Sequence, residues 1–225
     1  MAESTDTDLG GTFAPTSSIT VDGWMLQTPS VSRSVSRAQA LDERGDEHAF
    51  ATYGEQDTET AEFTLGGDYE TGSMTLPKLG STHITEFSVT YSETDFPKLS
   101  VSKSSAAVSA TSWTFPLTLP VRALGVPASI DGLYTAQGAV AVKTLAIQVT
   151  AQHVEETDGS GNYGTLGEFR DVTVKATFTG VAGRPAPTMA SGWTLVESQA
   201  SNSNTALPSG SVAYERHYAY KNAAS

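Results

Sequence analysis

The chain has 225 residues, with thirteen Lys and Arg against twenty-five Asp and Glu, and no cysteine. The absence of thiols excludes a disulfide framework, a Cys-ligated zinc, an iron–sulfur cluster and a cysteine nucleophile. A formal net charge of −12 argues against tight binding to nucleic acid or to an anionic membrane surface.

The first segment, residues 1–17, is small, polar and acidic, and predicts a flexible arm. It lacks the apolar stretch of a signal peptide, and no apolar run in the chain approaches the ~20 residues of a membrane-spanning helix. We therefore expect a soluble protein made in the cytoplasm, with no membrane partner. Residues 221–225 have a similar composition and predict a short tail.

The residues between the two ends favour an all-β fold. Ser and Thr together contribute 56 residues, and 20 Gly and 10 Pro supply turn signals. Phe87, Val89 and Tyr91 alternate with polar residues, as expected for a half-buried strand. The other predicted strands are 19–27, 48–53, 59–65, 99–102, 145–151, 169–178, 193–198 and 211–220. These strands predict an antiparallel β-sandwich or β-barrel.

A long hairpin stands out within this pattern. The strands 145–151 and 169–178 flank a segment rich in Gly, Asp and Ser, and we expect them to pair and to protrude through residues 157–167. Residues 113–120 also alternate, and Pro116 and Pro120 predict that this strand lies at a sheet edge. Residues 34–43 begin with an N-cap and end before Gly45, so they are the best place for the one short helix that the sequence allows.

The predicted organisation is one main domain with mobile ends. The β-domain spans residues 18–182, a linker rich in Gly and Pro spans 183–191, and a C-terminal hairpin spans 192–220. We expect this hairpin to pack on the same domain or on a neighbouring copy. Gly23-Trp24-Met25-Leu26 recurs as Gly192-Trp193-Thr194-Leu195. The recurrence is either chance in a Ser-rich chain or the mark of two equivalent hairpins.

Residues with catalytic or metal-binding chemistry form no convincing site in the sequence. The four histidines, at 48, 83, 153 and 217, lack ligand spacing, and the acidic residues before His48 are typical of a solvated turn. The segment that begins at Asp158 resembles a calcium loop but has Tyr163 where Gly belongs, and Glu168 one place early. We therefore predict no catalytic, cofactor-binding or metal-binding residues.

Two further patterns indicate structural roles. Ser100-Val101-Ser102-Lys103 matches a Ser-x-x-Lys motif, but residues three apart on a strand point to opposite faces. The basic cluster of Arg33, Arg37 and Arg44 is offset by neighbouring acids, which favours a local ion-pair network or a subunit contact.

Three runs of residues resemble structural proteins of tailed bacteriophages, especially tail-tube subunits. They are Gly23-Trp24-Met25-Leu26 with the Ser/Arg run that follows, residues 40–47 leading into 51–54, and residues 95–101. The resemblance covers residues 20–105. It implies a non-enzymatic virion protein, made in the host cytoplasm, that self-assembles through its sheet edges, commonly as hexameric rings. Its implied partners are other copies, other virion proteins, and DNA only as a cargo that passes without specific contacts.

Two alternatives remain open at this point. A carbohydrate-binding or adhesin-like sandwich would use exposed Tyr residues or the tryptophans at 24, 113 and 193 to stack on sugars. A hydrolase would use a carboxylate pair such as Asp57 and Glu59, or Glu155 and Glu156. Within the virion class, capsid decoration and neck or baseplate proteins are further alternatives.

Overall fold

The computed structural model describes residues 18–41, 47–66, 72–80, 83–105, 112–135, 142–154, 168–181, 186–201 and 209–220. The strands are β1 (Trp24–Leu41), β2 (Glu47–Leu65), β3 (Ile84–Ser92), β4 (Lys98–Ser104), β5 (Ser129–Ile130), β6 (Tyr134–Thr135), β7 (Val142–Val154), β8 (Glu168–Val181), β9 (Thr188–Met189), β10 (Thr194–Ser201) and β11 (Ser209–Ala219). No α-helix occurs among these residues, and the all-β prediction is confirmed.

Eight strands form one antiparallel sheet in the order β1-β2-β4-β3-β7-β8-β11-β10, and β5, β6 and β9 form a small second sheet. Alternation places one set of side chains on the face that the small sheet and irregular segments cover. The core of the main sheet includes Phe87, Val89, Leu99, Ile147 and Val174, all essentially inaccessible to solvent.

The covering layer is fastened to the sheet by aromatic side chains. The rings of Phe87 and Phe115 meet edge to face with centroids 6.1 Å apart, and Tyr134 meets Phe178 in the same way at 5.1 Å. The hydroxyl of Tyr91 donates to the carbonyl of Pro120 at 2.8 Å. These contacts bury one face of the main sheet and leave the other face without such a layer among the described residues.

The predicted helix at 34–43 is wrong where the structure describes it. Residues 34–41 belong to β1 and pair with β2, from Ser34 opposite Gln56 to Leu41 opposite Glu47. Good helix formers such as Ala38, Ala40 and Leu41 are overridden here, because pairing with β2 satisfies the backbone.

The prediction of a strand at 113–120 is also wrong. This segment makes only two isolated bridges, Leu79 with Trp113 and Ser73 with Pro120, and otherwise runs irregularly across the core. Its alternation reflects burial of Phe115 and Leu119 in the covering layer rather than membership of a sheet.

The predicted hairpin of 145–151 with 169–178 is confirmed as β7 paired with β8. Its tip at 157–167, the arm at 1–17 and the tail at 221–225 lie outside the described residues. Within the predicted linker, 183–191, Thr188 and Met189 form β9 and pair with β6. The C-terminal hairpin pairs through β11 with β8 of the same chain.

Candidate interface at the two sheet edges

The main sheet has two outermost strands, β1 at one edge and β10 at the other. Each has a paired neighbour on one side only, and no described strand pairs with its outer side. Proline occurs in β1 at Pro29, opposite Ala61, a position that an edge strand accommodates because the missing N–H points outward. The two edge strands differ in length, with 18 residues in β1 and 8 in β10.

The recurring Gly-Trp-x-Leu sequence begins both edge strands with the same local construction. Gly23 and Gly192 both adopt positive φ, 80° and 90°, where glycine is favoured. The indole N–H of Trp24 donates to the carbonyl of Thr75 at 2.8 Å, and that of Trp193 donates to the carbonyl of Gly132 at 3.0 Å. Each indole thus anchors the start of an edge strand to the covering layer.

The match continues one step further into each strand. A register shift follows Leu26 in β1, and another follows Leu195 in β10, so an extra residue interrupts both ladders at the same distance from the tryptophan. The two hairpins β1–β2 and β10–β11 therefore begin in the same way at opposite edges of one sheet. This geometry agrees with the second of the two readings of the recurrence, two equivalent hairpins.

Both edge strands expose large apolar side chains. They are Met25, Leu26, Val31 and Val35 on β1, and Leu195 and Val196 on β10. Six of the eight exposed large hydrophobic residues in the described part of the chain therefore lie on the two edge strands, with Phe96 and Leu124 elsewhere. Apolar surface grouped in this way is typical of a contact site rather than of scattered surface residues.

The edges also differ in charge. β1 contains two arginines and no acidic residue, whereas β10 contains Glu197 as its single charged residue. Arg33 makes two hydrogen bonds to Asp57 of β2, at 2.7 and 3.0 Å, and this contact lowers the pKa of the Asp57 carboxyl. Glu197 lies 3.8 Å from the ammonium nitrogen of Lys175 on β8, so Arg33 and Glu197 each have a partner of opposite charge within the chain.

The open face of the main sheet, which we call the polar face, has mostly polar side chains in rows that cross the strands, and about half of these residues are Ser or Thr. One row crosses all eight strands through Thr28, Glu62, Ser100, Ser88, Gln148, Lys175, Glu215 and Thr194. A second passes through Ser30, Thr60, Ser102, Glu86, Thr150, Thr173 and His217. A third passes through Met25, Thr64, Lys98, Thr90, Ala146, Thr177, Ala213 and Glu197.

These rows carry two lysines against four glutamates, a formal net charge of −2. Most of their side chains are partly or fully exposed. Such a face offers hydroxyl groups to water and no run of basic residues to a polyanion.

The three tryptophans considered as sugar platforms serve the fold. Trp24 is buried, and Trp193 packs against the core while its N–H is bonded to the backbone. Trp113 packs against the core, with its ring 6.4 Å from Phe115 and 5.7 Å from Tyr218. Nothing in their placement favours carbohydrate stacking.

The acidic residues considered as a catalytic pair also have structural roles where the structure describes them. Asp57 pairs with Arg33, whereas Glu59 is buried and ion-paired with Lys103 at 3.0 Å. Glu155, Glu156 and the loop that begins at Asp158 lie outside the described residues. Within the described part of the chain no cluster of three acidic or histidine residues is arranged to hold a metal ion.

The histidines and the Ser-x-x-Lys motif show no shared site. His48 lies in β2, His153 contacts the ring of Phe169, and His217 lies on the polar face, 3.1 Å from the Thr173 hydroxyl. His83 precedes β3 with a positive φ of 66°. Ser100 lies on the polar face and Lys103 reaches Glu59 on the other face, as expected for a strand.

Sequence reasoning missed the buried role of Glu59. Its carboxylate accepts hydrogen bonds from the backbone N–H of Ser18 at 2.7 Å and from the Ser18 hydroxyl at 2.8 Å. A signal was present, because Glu59 has the same parity as the buried residues Ala61, Phe63 and Leu65. The pairing fastens the segment before β1 to the sheet.

No family model matches this sequence, and no curated protein matches it either. No helix in the described part of the chain has the length and apolar character needed to cross a membrane.

Proposed function

We propose that this protein is a non-enzymatic structural subunit that self-assembles through the edges of its main sheet. The tail tube of a tailed bacteriophage, in which copies surround a passage for DNA, is the assembly that agrees best with its features. The carrying observation is the pair of outer strands, β1 and β10, whose outer sides have no partner among the described strands and whose exposed apolar side chains are grouped there.

Backbone chemistry supports this role. An outer strand presents N–H and C=O groups that another strand can bind, and natural proteins usually blunt such edges to prevent uncontrolled association. Here β1 continues for twelve residues beyond Pro29 with only two basic residues, Arg33 and Arg37, so blunting is limited. A second copy would satisfy these groups and cover the apolar side chains.

The polar face supports the proposed passage for DNA. A surface along which DNA moves should add little electrostatic affinity, because each neutralised phosphate strengthens binding. Hydroxyl groups with a small net negative charge meet this requirement. The virion, after synthesis in the host cytoplasm, is accordingly the proposed location, with other virion proteins as further partners.

Assembly is tested by light scattering and negative-stain electron microscopy of the purified protein over a range of concentrations. We expect rings or tubes with wild-type protein. Leu195→Lys, at the β10 edge, should reduce assembly, whereas Leu124→Lys is a matched control away from both edges, since the two leucines are 53% and 52% exposed. A wild-type protein that stays monomeric at high concentration would contradict the proposal.

A further inference from the structure

The number of strands in the main sheet determines how a second copy can extend it. All seven neighbouring pairs from β1 to β10 are antiparallel. Strand direction therefore alternates across the sheet, and because the sheet has eight strands, its two outermost strands run in opposite directions.

This parity has a consequence for a row of copies that all face the same way. When the β10 edge of one copy is placed beside the β1 edge of the next, the two strands are antiparallel, and the alternation continues without a break. The polar face then continues from one copy into the next.

We propose that β1 of one copy pairs antiparallel with β10 of the next, so that the polar faces of successive copies form one uninterrupted surface. This inference rests on the proposed function and specifies which edges meet and in which direction. A contact between different edges is heterologous, so it repeats until the copies close a ring or extend as a filament.

Charge is compatible with a contact between unlike edges. Arg33 on β1 is ion-paired with Asp57, and Glu197 on β10 is ion-paired with Lys175. A β1–β10 contact brings Arg33 and Glu197, which have opposite charges, to the same seam. A contact between like edges would instead bring two copies of the same charged side chain together, and like charges that face each other across strands are destabilising.

Length is compatible with this pairing. Pro29 lacks an N–H group and interrupts the outer side of β1, which leaves residues 31–41 as the longer stretch without proline, with register shifts after Ser34 and after Ala40. This stretch of eleven residues accommodates the eight residues of β10. The exposed side chains of Val31 and Val35 lie within it.

The test uses proline variants that block either the β1 edge or the β10 edge. Residues 28–34 pair with β2 without a register shift, so Val31 has the same parity as Pro29 and directs its N–H outward. Val31→Pro therefore removes an outward N–H donor while the hydrogen bonds between β1 and β2 stay intact. Arg33→Pro is a second variant that removes an outward donor. Val31→Ala is the control, because it retains the N–H donor.

For β10, the consecutive substitutions Ser198→Pro and Gln199→Pro remove one outward and one inward donor, because alternate residues face β11. Loss of an inward donor breaks a hydrogen bond to β11 and destabilises the fold. The variant that lacks the outward donor is therefore the one whose thermal unfolding midpoint stays closest to that of the wild type. Circular dichroism verifies that each blocked variant is folded before it is mixed.

Analytical ultracentrifugation of each variant alone and of an equimolar mixture then separates the possibilities. We expect each blocked variant alone to be monomeric, the mixture to form a 1:1 heterodimer and nothing larger, and Val31→Ala to assemble. Homodimers of either variant alone would show that like edges pair and would overturn the inference. Blocked variants that assemble as the wild type does would also overturn the proposed β1–β10 pairing, but they would leave self-assembly by other surfaces intact. A wild-type protein that is monomeric would overturn the proposed function itself.

Discussion

Lys103 and Glu59 lie directly opposite each other on β4 and β2, and the ammonium nitrogen of Lys103 is 3.0 Å from a carboxylate oxygen of Glu59. Glu59 is only 6% exposed, and Ser18 donates two hydrogen bonds to the same carboxylate. The pair thus joins three segments of the chain at one point of the covered face.

Replacing this carboxylate should destabilise the fold. Glu59→Gln keeps the shape but removes the charge, so Lys103 loses its ionic partner and the amide presents donors to groups that already donate. We expect a loss of roughly 1–3 kcal/mol in the free energy of unfolding, measured by urea denaturation. Asp57→Asn, at the exposed pair with Arg33, is the control and should cost at most about 1 kcal/mol. Equal losses in the two variants would contradict a special role for Glu59.

Gly132 should tolerate substitution less well than Gly125. Both have positive φ, 73° and 86°, but a Cβ at Gly132 would lie 2.8 Å from a methyl group of Leu117, whereas one at Gly125 would meet nothing within 4 Å. Alanine at either position costs about 1–2 kcal/mol for the backbone conformation. Gly132→Ala should cost about 1 kcal/mol more, because Leu117 must move.

Urea denaturation of the two glycine variants makes this comparison. The carbonyl of Gly132 also accepts a hydrogen bond from the indole N–H of Trp193. A shift of the backbone at Gly132 in the alanine variant should therefore change the fluorescence of Trp193. Indistinguishable stabilities would show that Leu117 adjusts without cost.

Stability should fall at high pH. Burial raises the pKa of Tyr134 to about 12, and burial also raises the pKa of Tyr91. The unfolded phenols ionise near pH 10 while the folded ones remain protonated, so the unfolded state binds fewer protons and the free energy of unfolding decreases from about pH 10 upward.

Denaturant unfolding at pH values from 8 to about 11.5 measures this decrease. Tyr134→Phe removes one of the tyrosines whose pKa burial raises, so the decrease with pH should be shallower, although the variant also loses the hydrogen bond from the Tyr134 hydroxyl to the carbonyl of Pro127. If the free energy of unfolding decreased equally steeply with pH in the wild type and in Tyr134→Phe, Tyr134 would not contribute to the decrease.

Adding positive charge to the polar face should make assembled protein retain DNA. Ser100→Lys with Thr177→Lys places two cations on this face, and we expect tighter, salt-sensitive binding with a log–log slope steeper by about 2. Ser112→Lys with Ala128→Lys adds the same charge to exposed positions of the covering segments and is the control. Filter binding at several salt concentrations makes the comparison, and equal retention in both variants would show that DNA does not meet the polar face.

Local pattern predicted the centre of the sheet and the β10 edge well and the β1 edge poorly. Phe87, Val89 and Tyr91 alternate cleanly because one face of β3 is buried, and burial is what alternation records. By contrast, β1 has exposed residues on both sides of the strand from residue 30 to residue 35, so its sequence carries no such record. Its strand character comes from pairing with β2, the next strand along the chain, and not from burial of one face.

The candidate interface was predictable only in part. The sequence showed the recurrence at Trp24 and Trp193, but their places at opposite edges depend on strand order, which no local pattern encodes. Pro29 was a signal for an edge strand that could have been used, whereas Pro116 and Pro120 misled because prolines also suit irregular covering segments.

The even count of antiparallel strands restricts how this fold can diverge. If a single outer strand were lost or gained, the two outermost strands of the sheet would run in the same direction. The edge strands of adjoining molecules would then pair in parallel, or one of the two molecules would have to be turned over. Insertions and deletions compatible with a seamless lattice should therefore come as whole hairpins, two strands at a time.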